Sequence, residues 1–456
     1  MLRNLFKSVA DFVRKQTLNK DQIAELLKVH PEALEHFEHL YESTSLNNID
    51  DNFFNINSKQ AASMRKESKI DVDYDADELL SITDKIVDEL LIVAGLKEAD
   101  EDFRFMTKEE LNAVPLSVRP QLSGSLIKRD IGEYSYIALL SQYVKWKETG
   151  DIRFYHSFRQ GLDILDLDPI TYEIIGMNPN SMGFWLPEVE KAVEITNFFK
   201  SPKTKVIKVP LPILQLTRLE YSQHTPATIK IVNDFCMKAF DLDVNKKYFV
   251  KTGTYSSKFD FRNALVQGEQ EVRELGEYLL FIHFQALQMA SPLTQPIIYG
   301  VSTTNEWVVR EFIEDVENNP KIYKGMPLHT EYRVFVDLDT QEILGMSPYW
   351  REDVMKKSFS SGEIDNHKKH DYIVYKLHED TLYGRYYENE NKILEEVKKL
   401  ISHINLPGQW SIDIMQNGDD FYIIDMALAT QSALNDCVDP SKLKRVEEKW
   451  IPQLQR

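Results

Sequence analysis

The residues with the clearest chemical potential lie in the stretch Trp410-Ser-Ile-Asp-Ile-Met-Gln-Asn-Gly-Asp-Asp-Phe-Tyr-Ile-Ile-Asp425. Two apolar runs, each carrying one aspartate, flank an Asn-Gly pair, which predicts a β-hairpin. Asp413 and Asp425 would then offer hard oxygen ligands from neighbouring strands, a donor set that suits Mg²⁺ bridging nucleotide phosphates. Loop length decides whether they converge. A two-residue loop at Asn417-Gly418 places the two carboxylates on opposite faces, because side chains alternate along a strand. A three-residue loop over Gln416-Asn417-Gly418, with glycine in the left-handed region, places both on one face. The alternative is an edge hairpin whose two acids are simply solvated.

Three further segments carry polar groups at strand ends. In Tyr248-Phe-Val-Lys251-Thr-Gly-Thr-Tyr-Ser-Ser257-Lys258, a lysine ends an apolar strand and precedes a loop rich in Ser and Thr. Backbone N–H groups, hydroxyls and lysines can all hold phosphate oxygens, although the spacing is not that of a Walker loop. In Trp307-Val-Val-Arg310-Glu311-Phe312-Ile313-Glu314-Asp315, an apolar strand runs directly into acids. Such a strand end can offer backbone groups to a base and a carboxylate to a ribose, or it can be an ordinary core strand with a polar tip. In Glu331-Tyr-Arg333-Val-Phe-Val-Asp337, alternation puts Glu331, Arg333 and Phe335 on one face. That charged pair is either a buried ion pair or an anion clamp. Arg351 follows shortly after the next strand.

The elements that must position these residues alternate between strand and helix. Strands are predicted at Lys205–Val209, Tyr248–Lys251, Trp307–Ile313, Glu331–Asp337 and Glu342–Met346. Helices are predicted from Pro226 to Phe240, from Glu269 to Met289 and from Asn391 to Ile404. Antiparallel strands interleaved with helices make this an α+β arrangement, not a regular parallel βαβ series. Upstream, residues 1–41 read as a helical appendage with an amphipathic first helix, 42–78 as a polar linker, 79–200 as a mixed α/β intermediate domain and 201–456 as the domain that holds the site.

In this order (strand–lysine–loop, strand–acid hinge, Glu-x-Arg strand, paired-acid hairpin) the sequence resembles the ATP-grasp superfamily over about residues 200–435. Val309-Arg-Glu-Phe-Ile313 and Tyr332-Arg-Val-Phe-Val336 look like the hinge and following strand of the glutamate ligases that act on ribosomal protein. The Asp413 to Asp425 hairpin looks like the metal hairpin of D-alanine–D-alanine ligase. Lys251, the Ser-Ser-Lys loop and the Arg333 strand are similar to the eukaryotic ATP-grasp chaperone that assembles a translation initiation factor.

The resemblance implies an ATP-grasp fold, with two α+β subdomains clasping ATP. It implies Lys251, Ser257 and Lys258 at the phosphates, backbone groups of Glu311 and Ile313 at the adenine, and Arg310 among the nucleotide-binding residues. Glu314 or Asp315 would meet the ribose, and Asp413 and Asp425 would hold Mg²⁺. Arg333 and Arg351 would act on the γ-phosphate or an acyl phosphate. It implies an ATP-dependent ligase joining a carboxylate to an amine on a small molecule or peptide; the alternative is an ATP-binding assembly factor that grips a protein partner. Covalent nucleotidyl transfer through Lys251 ranks last, because the K-x-[DH]-G of RNA ligases is absent at Lys251-Thr-Gly-Thr254. One departure stands out. The family's hairpin ends acid-x-Asn, whereas this one ends Asp425-Met426-Ala427, so either the second Mg²⁺ is lost or Gln431 or Asn435 replaces the missing ligand.

Bulk composition agrees with a globular protein: 43% apolar, 28% charged, with only two cysteines. That cysteine count excludes a disulfide framework and a thiolate zinc site, and a cytoplasmic setting is expected. A net charge of −18 argues against a surface that coats nucleic acid. No apolar run reaches the length of a membrane span.

Overall fold

The computed structural model describes residues 178–219, 224, 226–290, 301–360 and 366–444, with scattered positions between 87 and 176. The expected appendage over 1–41, the linker over 42–78 and nearly all of 79–177 lie outside the described residues. Eleven strands enter the description: β1 (Phe199–Lys200), β2 (Thr204–Lys208), β3 (Tyr248–Thr252), β4 (Leu265–Val266), β5 (Glu306–Glu311), β6 (Lys321–Ile322), β7 (Met326–Pro327), β8 (Glu331–Asp337), β9 (Glu342–Pro348), β10 (Gln409–Asn417) and β11 (Asp420–Leu428). Four long helices accompany them: α1 (Met182–Thr196), α2 (Pro226–Phe240), α3 (Leu275–Ala290) and α4 (Asn366–Ile401). The arrangement is mixed α+β, as expected. None of these helices is long and apolar enough to cross a membrane.

The strands form two main sheets. One has the order β2-β5-β3-β4 and the other β1-β11-β10-β8-β9. In the four-stranded sheet, Trp307, Val309, Tyr248 and Val250 turn towards α2 and α3 and join their core with Phe235, Leu275, Leu279 and Ile282. Alternation then forces Phe249, Lys251 and Arg310 onto the opposite face, and the pairings Phe249↔Arg310 and Lys251↔Val308 keep them together. The five-stranded sheet repeats this logic. Tyr332, Val334, Val336, Ile412 and Ile414 pack with Trp185 and Val189 of α1 and Ile393 and Val397 of α4. Glu331, Arg333 and Asp413 are left to point the other way. Each sheet therefore buries an apolar face against helices and presents a charged face to the other sheet.

Two elements differ from expectation for identifiable reasons. The helix predicted over Glu269–Met289 is broken at Glu274 (φ −96, ψ 11) into a short helix, Glu269–Arg273, and α3. The helix predicted from Asn391 begins instead at Asn366 and runs for 36 residues, about 54 Å at 1.5 Å per residue. Its first half is polar, and its buried apolar positions there, Tyr375 and Leu382, serve a different cluster (Phe261, Tyr323, Trp350, Phe359) from the one served by Ile393 and Val397.

The hairpin is not at an edge. β11 lies between β10 and β1, and β10 between β11 and β8. Its turn is a two-residue loop, Gly418-Asp419, because Asn417 pairs with Asp420, and Gly418 takes a left-handed φ of 66°. That loop alone would set Asp413 opposite Ile424. A β-bulge intervenes: Ile414 pairs with Ile423 and Asp413 with Asp425, leaving Ile424 without a partner on β10. The bulge, and not the three-residue turn considered from the sequence, brings both carboxylates to one face.

Candidate functional site

A cavity of about 180 Å³ opens between the two charged sheet faces. Its walls include Lys251, Lys258, Arg310, Glu311, Ile313, Arg333, Asp413 and Asp425, residues read from the sequence in four separate segments. Phe249, Phe261, Phe312 and Met326 pack in one cluster and form an apolar part of the wall, to which Met415 adds. A planar base against that part and anionic groups against the charged side chains would match the two kinds of lining.

Lys251 is 2% exposed, and its Nζ lies 3.3 Å from Asp425 Oδ1. Burial lowers its pKa and the neighbouring Asp425 only partly restores it, with Arg310 adding to the depression. Arg310 is buried too; burial outweighs Asp425 and Glu190 and brings its pKa down to about 10. Arg333 clamps Asp413 in bidentate fashion, Nε to Oδ1 at 2.7 Å and Nη2 to Oδ2 at 2.6 Å. Burial opposes the charge on Arg333, but the Asp413 carboxylate outweighs it and holds the guanidinium more firmly protonated than usual. Arg333 is thus one half of a buried ion pair whose partner is Asp413 and not Glu331.

Lys258 sits over the Tyr349 ring, 4.2 Å from its centre, and donates to the Tyr349 hydroxyl. Arg333 lies 4.7 Å from the centre of the same ring, so two cations share one aromatic ring. Burial would depress Lys258, but Tyr349 and Glu331 together turn its shift upward. Glu331 was not among the site residues read from the sequence, although its place two residues before Arg333 put it on the same face. Burial lifts its pKa to about 7, with Asp413 adding to the rise and Lys258 and Arg333 opposing it.

Several expected residues lie elsewhere. Ser257 turns inward to donate to Gln285 (2.7 Å), and Ser256 lines the cavity in its place. The other hydroxyls of that loop serve the fold: Thr254 donates to the Val301 carbonyl at 2.8 Å, and Thr252 accepts from the Tyr255 N–H at 2.9 Å. Glu314 pairs with Lys247 at 2.7 Å, and its carboxylate is not on the cavity wall. Asp315 holds a turn by accepting from the N–H groups of Glu317 and Asn319. Arg351 pairs with Asp353 and Asp436, each at 2.6 Å, outside the cavity. The Glu311 N–H, one of the groups expected to meet a base, donates to the Lys203 carbonyl at 2.9 Å.

Asp413 and Asp425 face the cavity from paired positions, which fits one hard cation bridging a phosphate. Neither residue considered as a replacement for the missing asparagine lines the cavity, and Gln431 Oε1 accepts from Asn180 at 2.6 Å. A second group, Asp315, Glu317 and His329, has its ligand atoms within 4.8 Å of one another. These groups already serve the fold: Arg385 pairs with Glu317 at 3.1 Å, and Asn319 donates to Asp315 and contacts His329.

No family model matches the chain, and no curated protein matches it. Among solved structures, Cdc123 from Schizosaccharomyces pombe is similar in a C-terminally truncated form (TM-score 0.33, 14% identity, covering 58% of this chain and 92% of that one). A second Cdc123 structure from that organism gives 0.32, 13%, 58% and 93% for the same quantities. D-alanyl-alanine synthetase A from Vibrio cholerae O1 biovar eltor str. N16961 gives 0.20, 12%, 51% and 52%. At these scores the likenesses carry no argument about function, which rests on the geometry of the cavity.

Proposed function

We propose that the chain is an ATP-grasp protein that binds ATP with Mg²⁺ between its two sheets and activates a carboxylate for attack by an amine. The observation that supports this most is the convergence of Lys251, Lys258 and Arg333 with Asp413 and Asp425 on one cavity that has an apolar part. In the proposed reaction a carboxylate oxygen of the substrate attacks the γ-phosphorus and ADP departs. The amine nitrogen then attacks the acyl carbon, phosphate departs and a proton leaves the nitrogen. Such chemistry asks for positioning and charge neutralisation, not for a protein nucleophile. Lys251 and Lys258 would hold phosphate oxygens, Arg333 would face the transferred group, and the Phe249–Phe312 part of the wall would shield the base. Asp413 and Asp425 would hold Mg²⁺, which would neutralise phosphate charge.

A second reading draws support from Ala427 and from the Arg333 clamp on Asp413. Both leave the metal side with fewer free ligands than turnover asks for. They favour an ATP-binding assembly factor that grips a protein partner without rapid hydrolysis. One assay separates the two. The ligase releases ADP and phosphate only when carboxylate and amine substrates are supplied together, as mixed metabolite or peptide pools. The assembly factor binds nucleotide with negligible release under every pool and retains a folded partner stably. A lysine-linked AMP that survives denaturation would revive nucleotidyl transfer instead.

A further inference from the structure

Arg310 was expected to touch the nucleotide. Its hydrogen bonds point elsewhere. The side chain rises from β5 of the four-stranded sheet and crosses to the five-stranded one, where its Nη1 donates to the Ile424 carbonyl at 3.0 Å. Its Nε donates to Thr204 Oγ1 at 3.2 Å, and its Nη2 contacts Met182 Sδ at 3.6 Å. The residue is 6% exposed, and no carboxylate among the described residues lies within ion-pair distance of it. A buried guanidinium is costly to maintain without a countercharge. What it gains here is a specific acceptor, the carbonyl of the one hairpin residue left out of the β10–β11 register.

That carbonyl matters because of parity. A bulge residue drops out of the ladder and its backbone groups need other partners. If the bulge relaxed, Asp413 would pair with Ile424, and Asp425 would turn to the face occupied by Ile412, Ile414 and Met426. We infer that Arg310 is a positioning residue: by holding the Ile424 carbonyl it fixes the bulge that aims the Asp425 carboxylate into the cavity. Arg310 thereby ties its own strand to the carboxylate proposed as a metal ligand. The inference rests on the Mg²⁺–nucleotide reading above and deepens it.

The test is calorimetric titration of ADP into wild-type protein, R310K, D425N and the R310K/D425N double variant, each with Mg²⁺ and with EDTA. Lysine keeps the charge but cannot reach Thr204 and Ile424 together. Support-shell changes of this kind typically weaken metal affinity by about tenfold or more. R310K is therefore expected to lose about tenfold of the Mg²⁺-dependent gain in affinity while metal-free affinity stays within about twofold. In the double variant the gain should be no lower than in D425N alone. An equal fall with and without Mg²⁺ would mean that Arg310 touches phosphate directly and would overturn the inference, as would full retention of the gain in R310K. Absence of any Mg²⁺-dependent gain in the wild type would instead sink the nucleotide reading itself. If R310K does not fold, T204V removes the second anchor of the same guanidinium and is expected to erode the gain in the same selective way.

Discussion

Replacing Lys251 with methionine should move stability and binding in opposite directions. The lysine is 2% exposed and its one carboxylate contact, at 3.3 Å, is to Asp425, whose side chain is 42% exposed. Burial already lowers the lysine's pKa, so the folded protein is holding a poorly compensated charge. Methionine has a similar volume and no charge, and exchanging buried ionic groups for apolar ones of like size is often neutral or stabilising by about 1–4 kcal/mol. The released Asp425 carboxylate is exposed enough to stay solvated. Nucleotide-free K251M should therefore unfold at a temperature equal to or above that of the wild type. Its affinity for ADP should fall by the value of one charge-assisted hydrogen bond, about 1.5–3 kcal/mol, which is roughly 10- to 150-fold. Thermal unfolding followed by circular dichroism reads the first quantity and calorimetry the second. A destabilised K251M with unchanged ADP affinity would make Lys251 a structural core lysine and refute the reasoning.

The Arg333–Asp413 pair should behave differently, since its side chains are only 12% and 8% exposed. D413N strands a buried guanidinium and should cost about 3–5 kcal/mol of stability in denaturant unfolding, whereas a paired R333M/D413L replacement should recover most of it. Glu331, with its pKa raised to about 7 chiefly by burial, binds a proton more tightly in the folded chain than in the unfolded one. Its contribution to stability is present at low pH and declines as pH rises from about 4.5 towards 7. Its neutral form also removes a negative charge from the cavity. ADP affinity measured relative to E331Q should therefore be higher at about pH 6 than at about pH 8, and a flat ratio across that range would exclude Glu331 from the site.

Much of the fold was legible because apolar alternation is strong where each sheet is buried on one side. Glu331–Asp337 was read to the residue, and Tyr248, Trp307 and Trp410 all fall in strands. The shared face of Lys251 and Arg310 on one sheet, and of Arg333 and Asp413 on the other, followed from strand parity, whereas Asp425 reaches the cavity only through the bulge. What the sequence hid were features that parity cannot carry. Ile424, the β11 residue that pairs with nothing on β10, stands beside an identical Ile423 and leaves no local mark. The choice of Ser256 over Ser257 depends on where Gln285 stands, 28 residues away. Glu314 and Asp315 looked free at the end of β5, but Lys247 and the Asn319 turn claim them. The polar first half of α4 had no apolar stripe strong enough to announce it, because only a few of its residues meet a core.

The central claim is that a nucleotide sits between the two sheets with its base against the Phe249–Phe312 part of the wall. Photolabelling with an azido-adenine nucleotide in the presence of Mg²⁺, followed by peptide mapping, tests it most directly. The account predicts label on the peptides carrying Phe249, Phe312 or Met415, lost on competition with ATP. Label confined to other peptides, or label that ATP does not displace, would contradict it.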